Sequence, residues 1–168
     1  MEIEVFQRTV VKTFQYPFAE KINPLLHNMI LEKAVHRDLG ATMMPWGSGF
    51  DIIEFKTIAN WVMRIIQNEN LSYTKGWDFK LLDLWGQYYE KGDSQATHTH
   101  EPCQWSFVYY VKSPKGSAPL VFTDSNKKIF PKPGMLVLFP SWMRHHVPKH
   151  NCKEIRSVIS GNMSYTRD

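Results

Sequence analysis

The chain has only two cysteines, Cys103 and Cys152, and they are not spaced as a CxxC pair. A disulfide scaffold needs more of them in a shorter secreted chain, so a packed core has to hold this fold. No apolar run approaches the ~18 residues that cross a bilayer. The opening MEIEVFQRTVVKTF alternates charged and apolar residues and lacks the apolar centre of a signal peptide. The expectation is a reduced protein of the cytoplasm that makes no membrane contact. Basic blocks are missing as well. Net charge is +4, with lysines and arginines scattered among acids, which argues against nucleic acid as a partner. There is no internal repeat and no low-complexity linker.

What is present fits one domain with a real core: 168 residues, 43% apolar and 21% charged. A 14% aromatic share, with ten prolines and nine glycines, leans toward short strands and many turns. The character changes near residue 75. Residues 1–75 read as a short strand in VFQRTVVKTFQY, then two helices. The first lies in FAEKINPLLHNMILEKAVHRDL, with Leu25, Leu26, Met29, Ile30 and Ala34 at helical spacing. The second lies in FDIIEFKTIANWVMRIIQNEN, through Ile53, Phe55, Ile58, Trp61, Val62 and Ile65. Residues 76–168 hold DFKLLDLWGQYYE, QWSFVYYVKS, APLVFTD, GMLVLFPSW and EIRSVISGNMSYT, parted by turns such as Lys91-Gly92-Asp93 and Pro114-Lys115-Gly116. This is a mainly β domain, a sandwich or barrel, with the N-terminal helices packed on one face.

Chemistry concentrates in two blocks. In Thr97-His98-Thr99-His100-Glu101 an extended chain turns both imidazoles to one face, because side chains alternate with period two. Glu101 then points away. The second block is Gly134 to Val147, where a buried strand ends at Pro140-Ser141-Trp142 and the following turn delivers His145 or His146. His-x-His with one more histidine some forty-five residues on is how a β-helix barrel presents three ligands to one metal. His27, His36 and His150 read as structural or exposed.

The spacing Gly92, five residues, His98-Thr-His100 resembles the first cupin motif. Gly134, five residues, Pro140 and His145 resembles the second, with Trp142 where glycine is usual. A closer resemblance is to a family of 2-oxoglutarate/iron(II) oxygenases of bacteria and tailed phages. It rests on Trp85, Gly92-Asp93, His98-Thr-His100, Ser106-Phe-Val-Tyr-Tyr110, Phe139-Pro-Ser-Trp-Met-Arg-His145-His-Val147, Arg156 and Asn162, in order over residues 85–162.

That resemblance implies a double-stranded β-helix (a jelly-roll, cupin-like barrel) and a hydroxylase that oxidatively decarboxylates 2-oxoglutarate to succinate. Fe(II) would be held by His98 and His145, with His100 where better-known relatives carry an aspartate. Arg156 would grip the distal carboxylate of 2-oxoglutarate through a bidentate pair. The open alternative for Arg156 is a solvated arginine on an edge strand. The family's serine two residues on is Val158 here, and Ser160 shares its face. Strand parity favours Tyr110 over Tyr109 as a cavity residue. Trp105 and Trp142 either wall the pocket or fill the core. Three imidazoles also suit zinc, and Asp93, Glu101 and Asp124 remain spare carboxylates. A cupin-like dioxygenase or isomerase without 2-oxoglutarate, and a non-enzymatic jelly-roll module, stand as alternatives. The helices are expected to shape the entrance or a homodimer contact, and a phage-encoded chain would work in the host cytoplasm.

Overall fold

The computed structural model describes residues 9–38, 40–69 and 78–166. The start of the first expected strand and the boundary between the two parts lie outside them. Strand β1 (Lys12–Gln15) leads into helix α1 (Ala19–Lys33), then β2 (His36–Asp38), β3 (Ala41–Met43), a 3-10 turn (Ser48–Asp51) and helix α2 (Ile53–Asn68). Eight strands follow: β4 (Asp78–Tyr89), β5 (Gln95–His98), β6 (Trp105–Lys112), β7 (Leu120–Phe122), β8 (Lys127–Ile129), β9 (Met135–Pro140), β10 (His145–Val147) and β11 (Arg156–Thr166).

Every strand pairing is antiparallel, and two sheets result. The larger runs β1-β9-β6-β11-β4-β3-β2 and the smaller β5-β10-β7-β8. The sequence up to residue 75 therefore supplies two strands beyond the one expected, since β3 and β2 extend the larger sheet at the edge opposite β1. Short β2 and β3 are joined by a tight connection at Gly40, which takes φ +99°.

The helices cover the outer face of the larger sheet. Helix α1 buries Ala19, Asn23, Leu26 and Ile30, one stripe three and four residues apart, while Leu25 stays exposed. Asn23 Nδ2 donates to the Val111 carbonyl and Tyr109 Oη donates to Asn23 Oδ1, which ties the helix to β6. Helix α2 buries Phe55, Ile58, Ala59, Val62 and Ile66, and leaves Ile53 in solvent. Gly86 lets the layers meet, since a Cβ there would lie 2.6 Å from Ile30 Cγ1 and 2.8 Å from Met44 Sδ. No helix is long and apolar enough to cross a membrane among the described residues.

The inner face of the larger sheet looks toward the smaller one. Residues at alternate positions of β4 and β11 point into the space between them, and that space holds the site. The two facing antiparallel sheets are the double-stranded β-helix expected from the motifs.

Candidate metal centre

Strand β5 ends at His98, and β10 begins at His145, which the ladder places directly beside it. His145 thus opens a strand rather than sitting in a turn, and His146 faces the other way, its Nδ1 bonded to Thr123 Oγ1. His100 lies two residues past the end of β5, where the chain leaves the sheet toward a turn at Glu101 and Pro102. The three imidazoles nevertheless converge. Their ligand nitrogens lie within 4.8 Å of one another, and ring centroids are 4.3 Å apart for His98 and His145, 4.9 Å for His98 and His100, and 5.0 Å for His100 and His145.

Backbone carbonyls orient two of the rings. His98 Nδ1 lies 2.8 Å from the Ala96 carbonyl and His145 Nδ1 lies 2.7 Å from the Met143 carbonyl. A carbonyl only accepts, so each Nδ1 carries the proton and each Nε2 keeps its lone pair for a metal. Burial and the neighbouring imidazoles pull His100 down to about 3, and burial with His98 pulls His145 down to about 4. Both are neutral, as a ligand must be, at any ordinary pH. The cluster holds no carboxylate. Asp93 is paired with Arg37 and accepts from the Glu90 N–H, Asp124 is paired with Arg144 on the surface, and Glu101 is exposed.

Arg156 is on the far wall. It is 1% exposed, on a strand flanked by β4 and β6, which excludes the alternative of a solvated edge-strand arginine. Its guanidinium lies over two rings, 4.6 Å from the Tyr89 centroid and 5.2 Å from that of Tyr110. Its Nε and Nη1 are buried with no hydrogen-bond partner, as is the Tyr110 hydroxyl. Burial pushes Tyr110 up, against the opposing pull of Arg156. Tyr109 bonds Asn23 of α1 on the outer face, whereas Tyr110 packs against Arg156 without being among the residues that line the cavity. Ser160 lines the cavity with Arg156. Trp105 is buried in the core, whereas Trp142 is half exposed and lines neither core nor cavity.

Sequence reasoning missed part of the lining. Gln87, Tyr89 and Gln95 form a chain in which Gln87 Nε2 donates to Tyr89 Oη and Tyr89 Oη donates to Gln95 Oε1. Burial pushes the Tyr89 hydroxyl up to about 12. Period two from Trp85 through Gln87 to Tyr89 was the available signal. Trp46, from the loop after β3, stacks at 4.4 Å on Trp85 and stays half exposed at the cavity. Nothing in its local sequence announced that position.

Comparison with known proteins gives one family match over part of the chain and a shared fold. A family model described as "Putative 2OG-Fe(II) oxygenase" matches residues 123–162, a stretch that includes His145, Arg156 and Ser160. Among curated proteins none matches by sequence. Solved structures of the same fold include the viral collagen prolyl hydroxylase vCPH of Paramecium bursaria Chlorella virus-1 in complex with 2OG. It has 12% identity and a TM-score of 0.76, with 91% of this chain and 94% of that one covered. A Pseudomonas putida prolyl-4-hydroxylase is 17% identical, with a TM-score of 0.63 and 94% and 92% covered. HygX of Streptomyces hygroscopicus, with nickel and 2-oxoglutarate bound, is 12% identical, with a TM-score of 0.69 and 93% and 83% covered. The family model reaches residues 123–162 of 168, and these structures, at 12–17% identity, share the chain's fold.

Proposed function

We propose that this chain is a 2-oxoglutarate/iron(II) oxygenase in which His98, His100 and His145 hold the iron(II) and Arg156 anchors the distal carboxylate of 2-oxoglutarate, with Tyr110 and Ser160 beside it. The observation that carries the reading is Arg156 itself. A guanidinium buried to 1% with two unpaired N–H-bearing nitrogens is costly unless an anion completes it. The cavity it lines has the three-histidine cluster on its other wall and no acidic side chain among its lining residues.

Bound there, iron(II) would supply the chemistry in which one atom of dioxygen turns a substrate C–H into C–OH and the other enters 2-oxoglutarate, which leaves as succinate and carbon dioxide. The protein's own part is binding and orientation. Three protein ligands would hold the metal and leave it able to take the co-substrate as well. Being neutral, they leave the site one charge more positive than two histidines and a carboxylate would, which favours a dianionic co-substrate. Tyr89 and Tyr110 sandwich the guanidinium and hold it toward the cavity. Substrate arrives past Trp46, the exposed lining residue at the mouth.

The test is an anaerobic titration of apo-protein with iron(II) and then 2-oxoglutarate, with Arg156→Leu in parallel. A visible charge-transfer band in the wild type, lost or weakened in the variant, supports both assignments. Iron binding without a band would transfer the site to cupin-like chemistry independent of 2-oxoglutarate. No iron binding would remove the three-histidine assignment.

A further inference from the structure

Of the three histidines, His100 is the one without an anchor on its own ring. His98 and His145 each rest an Nδ1–H on a backbone carbonyl, whereas no hydrogen bond reaches the His100 ring among the described residues. It also stands outside the sheet, so no strand ladder fixes its backbone. Something else must set the position of the third ligand.

The His100 backbone N–H donates to the Ser141 carbonyl at 2.8 Å. Ser141, just past the end of β9, is fully buried, and its own N–H donates to the Gln104 carbonyl, while the Gln104 N–H donates to Met163 on β11. The segment 100–104 is thereby stapled at both ends. The Ser141 side chain is held in turn. Ser106 on β6 donates its hydroxyl proton to Asn162 Oδ1 at 2.8 Å, and Ser106 Oγ lies 2.8 Å from Ser141 Oγ. A hydroxyl has one proton, so Ser141 is the donor of that pair and Ser106 the acceptor. Asn162 Nδ2 then donates to Asp83 Oδ2 at 3.3 Å on β4. Ser106, Ser141 and Asn162 are 1%, 0% and 3% exposed.

We propose that this chain, Ser141 to Ser106 to Asn162 to Asp83, is the positioning device of the third metal ligand. It reaches across three strands of the larger sheet to hold the Ser141 carbonyl on which His100 hangs. Ser106, Ser141 and Asn162 are positioning residues rather than catalytic ones, for none lines the cavity and Ser141 meets the cluster only through the His100 backbone. A fully satisfied buried network of this kind specifies one backbone geometry, because each broken link leaves a buried polar group unpaired. The inference rests on the reading of His100 as a ligand, and the experiment separates the two.

Cobalt(II), whose ligand-field absorption reports its donor set, is titrated into metal-free wild type, His100→Ala, Ser106→Ala, Ser106→Thr and Asn162→Ser, with Asn23→Ala as a control for a buried polar bond elsewhere. Thermal midpoints of the metal-free proteins are measured alongside. Ser106→Ala and Asn162→Ser are expected to weaken cobalt about tenfold, and to shift the spectrum toward that of His100→Ala. Ser106→Thr, which keeps the hydroxyl, restores both readouts. Asn23→Ala lowers the midpoint and leaves cobalt affinity and spectrum alone. Asn162→Ser carries the test if Ser106→Ala does not fold. If either variant lowers the midpoint but binds cobalt as wild type does, or weakens binding without the spectral shift, the positioning role is overturned while the ligand stands. If His100→Ala itself changes neither affinity nor spectrum, His100 is not a ligand and the proposal falls with it.

Discussion

Arg156 stands directly across the β11–β4 ladder from Tyr89, and its guanidinium carbon lies 4.6 Å from the centre of the phenol ring. The pairing means that one ladder position aims the cation while another ring, that of Tyr110, closes it from the side of β6. In a desolvated setting a cation–π contact is worth about 2 kcal/mol. Tyr89→Leu removes the ring, and 2-oxoglutarate affinity is expected to fall by about tenfold or more. Tyr89→Phe keeps the ring and loses only the links to Gln87 and Gln95, so its affinity should stay within about threefold of wild type. Titration of the charge-transfer band with 2-oxoglutarate reads both. Equal losses in the two variants would assign the effect to the hydroxyl chain.

Gly86 faces away from the cavity, under α1. A methyl group there would meet Ile30 Cγ1, Met44 Sδ and the Phe55 ring at 2.6, 2.8 and 3.1 Å, contacts from three separate elements or loops. Gly86→Ala is expected to destabilise the fold by about 1–3 kcal/mol through overpacking, with the 2-oxoglutarate band kept in the protein that remains folded. Urea unfolding of the variant measures this, and an unchanged midpoint would show that α1 can lift off β4 without cost.

Much of this architecture could be read before the structure was seen, and the reason differs between elements. The long strands β4, β6, β9 and β11 carry enough aromatic and β-branched residues for their type to show through. Five of the described strands have only three residues, too few for a period; β7 showed through its apolar run Leu120-Val121-Phe122, whereas β2, β3, β8 and β10 did not read as strands. His98, His100 and His145 were legible as candidates from their spacing along extended chain, and Arg156 only through the family resemblance. Tyr89, Gln87 and Gln95 were not, since polar residues on alternate strand positions look the same whether they face water or a polar cavity. The Ser141 carbonyl that receives the His100 N–H is a backbone group, and no residue pattern encodes it.

The absence of a carboxylate in the cluster yields a third prediction. His100→Asp gives two imidazoles and an anion, lowering the charge at the metal by one. Metal binding should survive, because carboxylate is an ordinary ligand for iron(II). Affinity for dianionic 2-oxoglutarate should drop, on the order of tenfold, because the site is less positive. The measurement is a band titration at fixed iron(II) in both proteins. A tighter co-substrate in the variant would show that ligand charge does not govern binding, and that the fit of His100 does.

The same three imidazoles set how the metal-free protein responds to acid. Burial and the neighbouring imidazoles hold His100 at about 3 and His145 at about 4, both below the ordinary imidazole value of 6.5. Unfolded, both would take up protons near 6.5, so the unfolded chain binds more protons than the folded one between the two values. Stability from these groups is therefore complete above the unfolded value and is lost as pH falls toward the folded ones. Lowering the pH from about 7 to about 5 should cost the apo-protein on the order of 2 kcal/mol for each imidazole. Other groups titrate in the same range, so the comparison is with a His100→Gln, His145→Gln double variant in chelator, both unfolded by urea at each pH. The wild type should lose more stability than the variant on acidification, and parallel curves would mean that the cluster admits protons freely when no metal is bound. Iron(II) binds only the neutral rings of the folded protein, so the rise in midpoint it gives the wild type should shrink only as protons compete for the folded cluster itself.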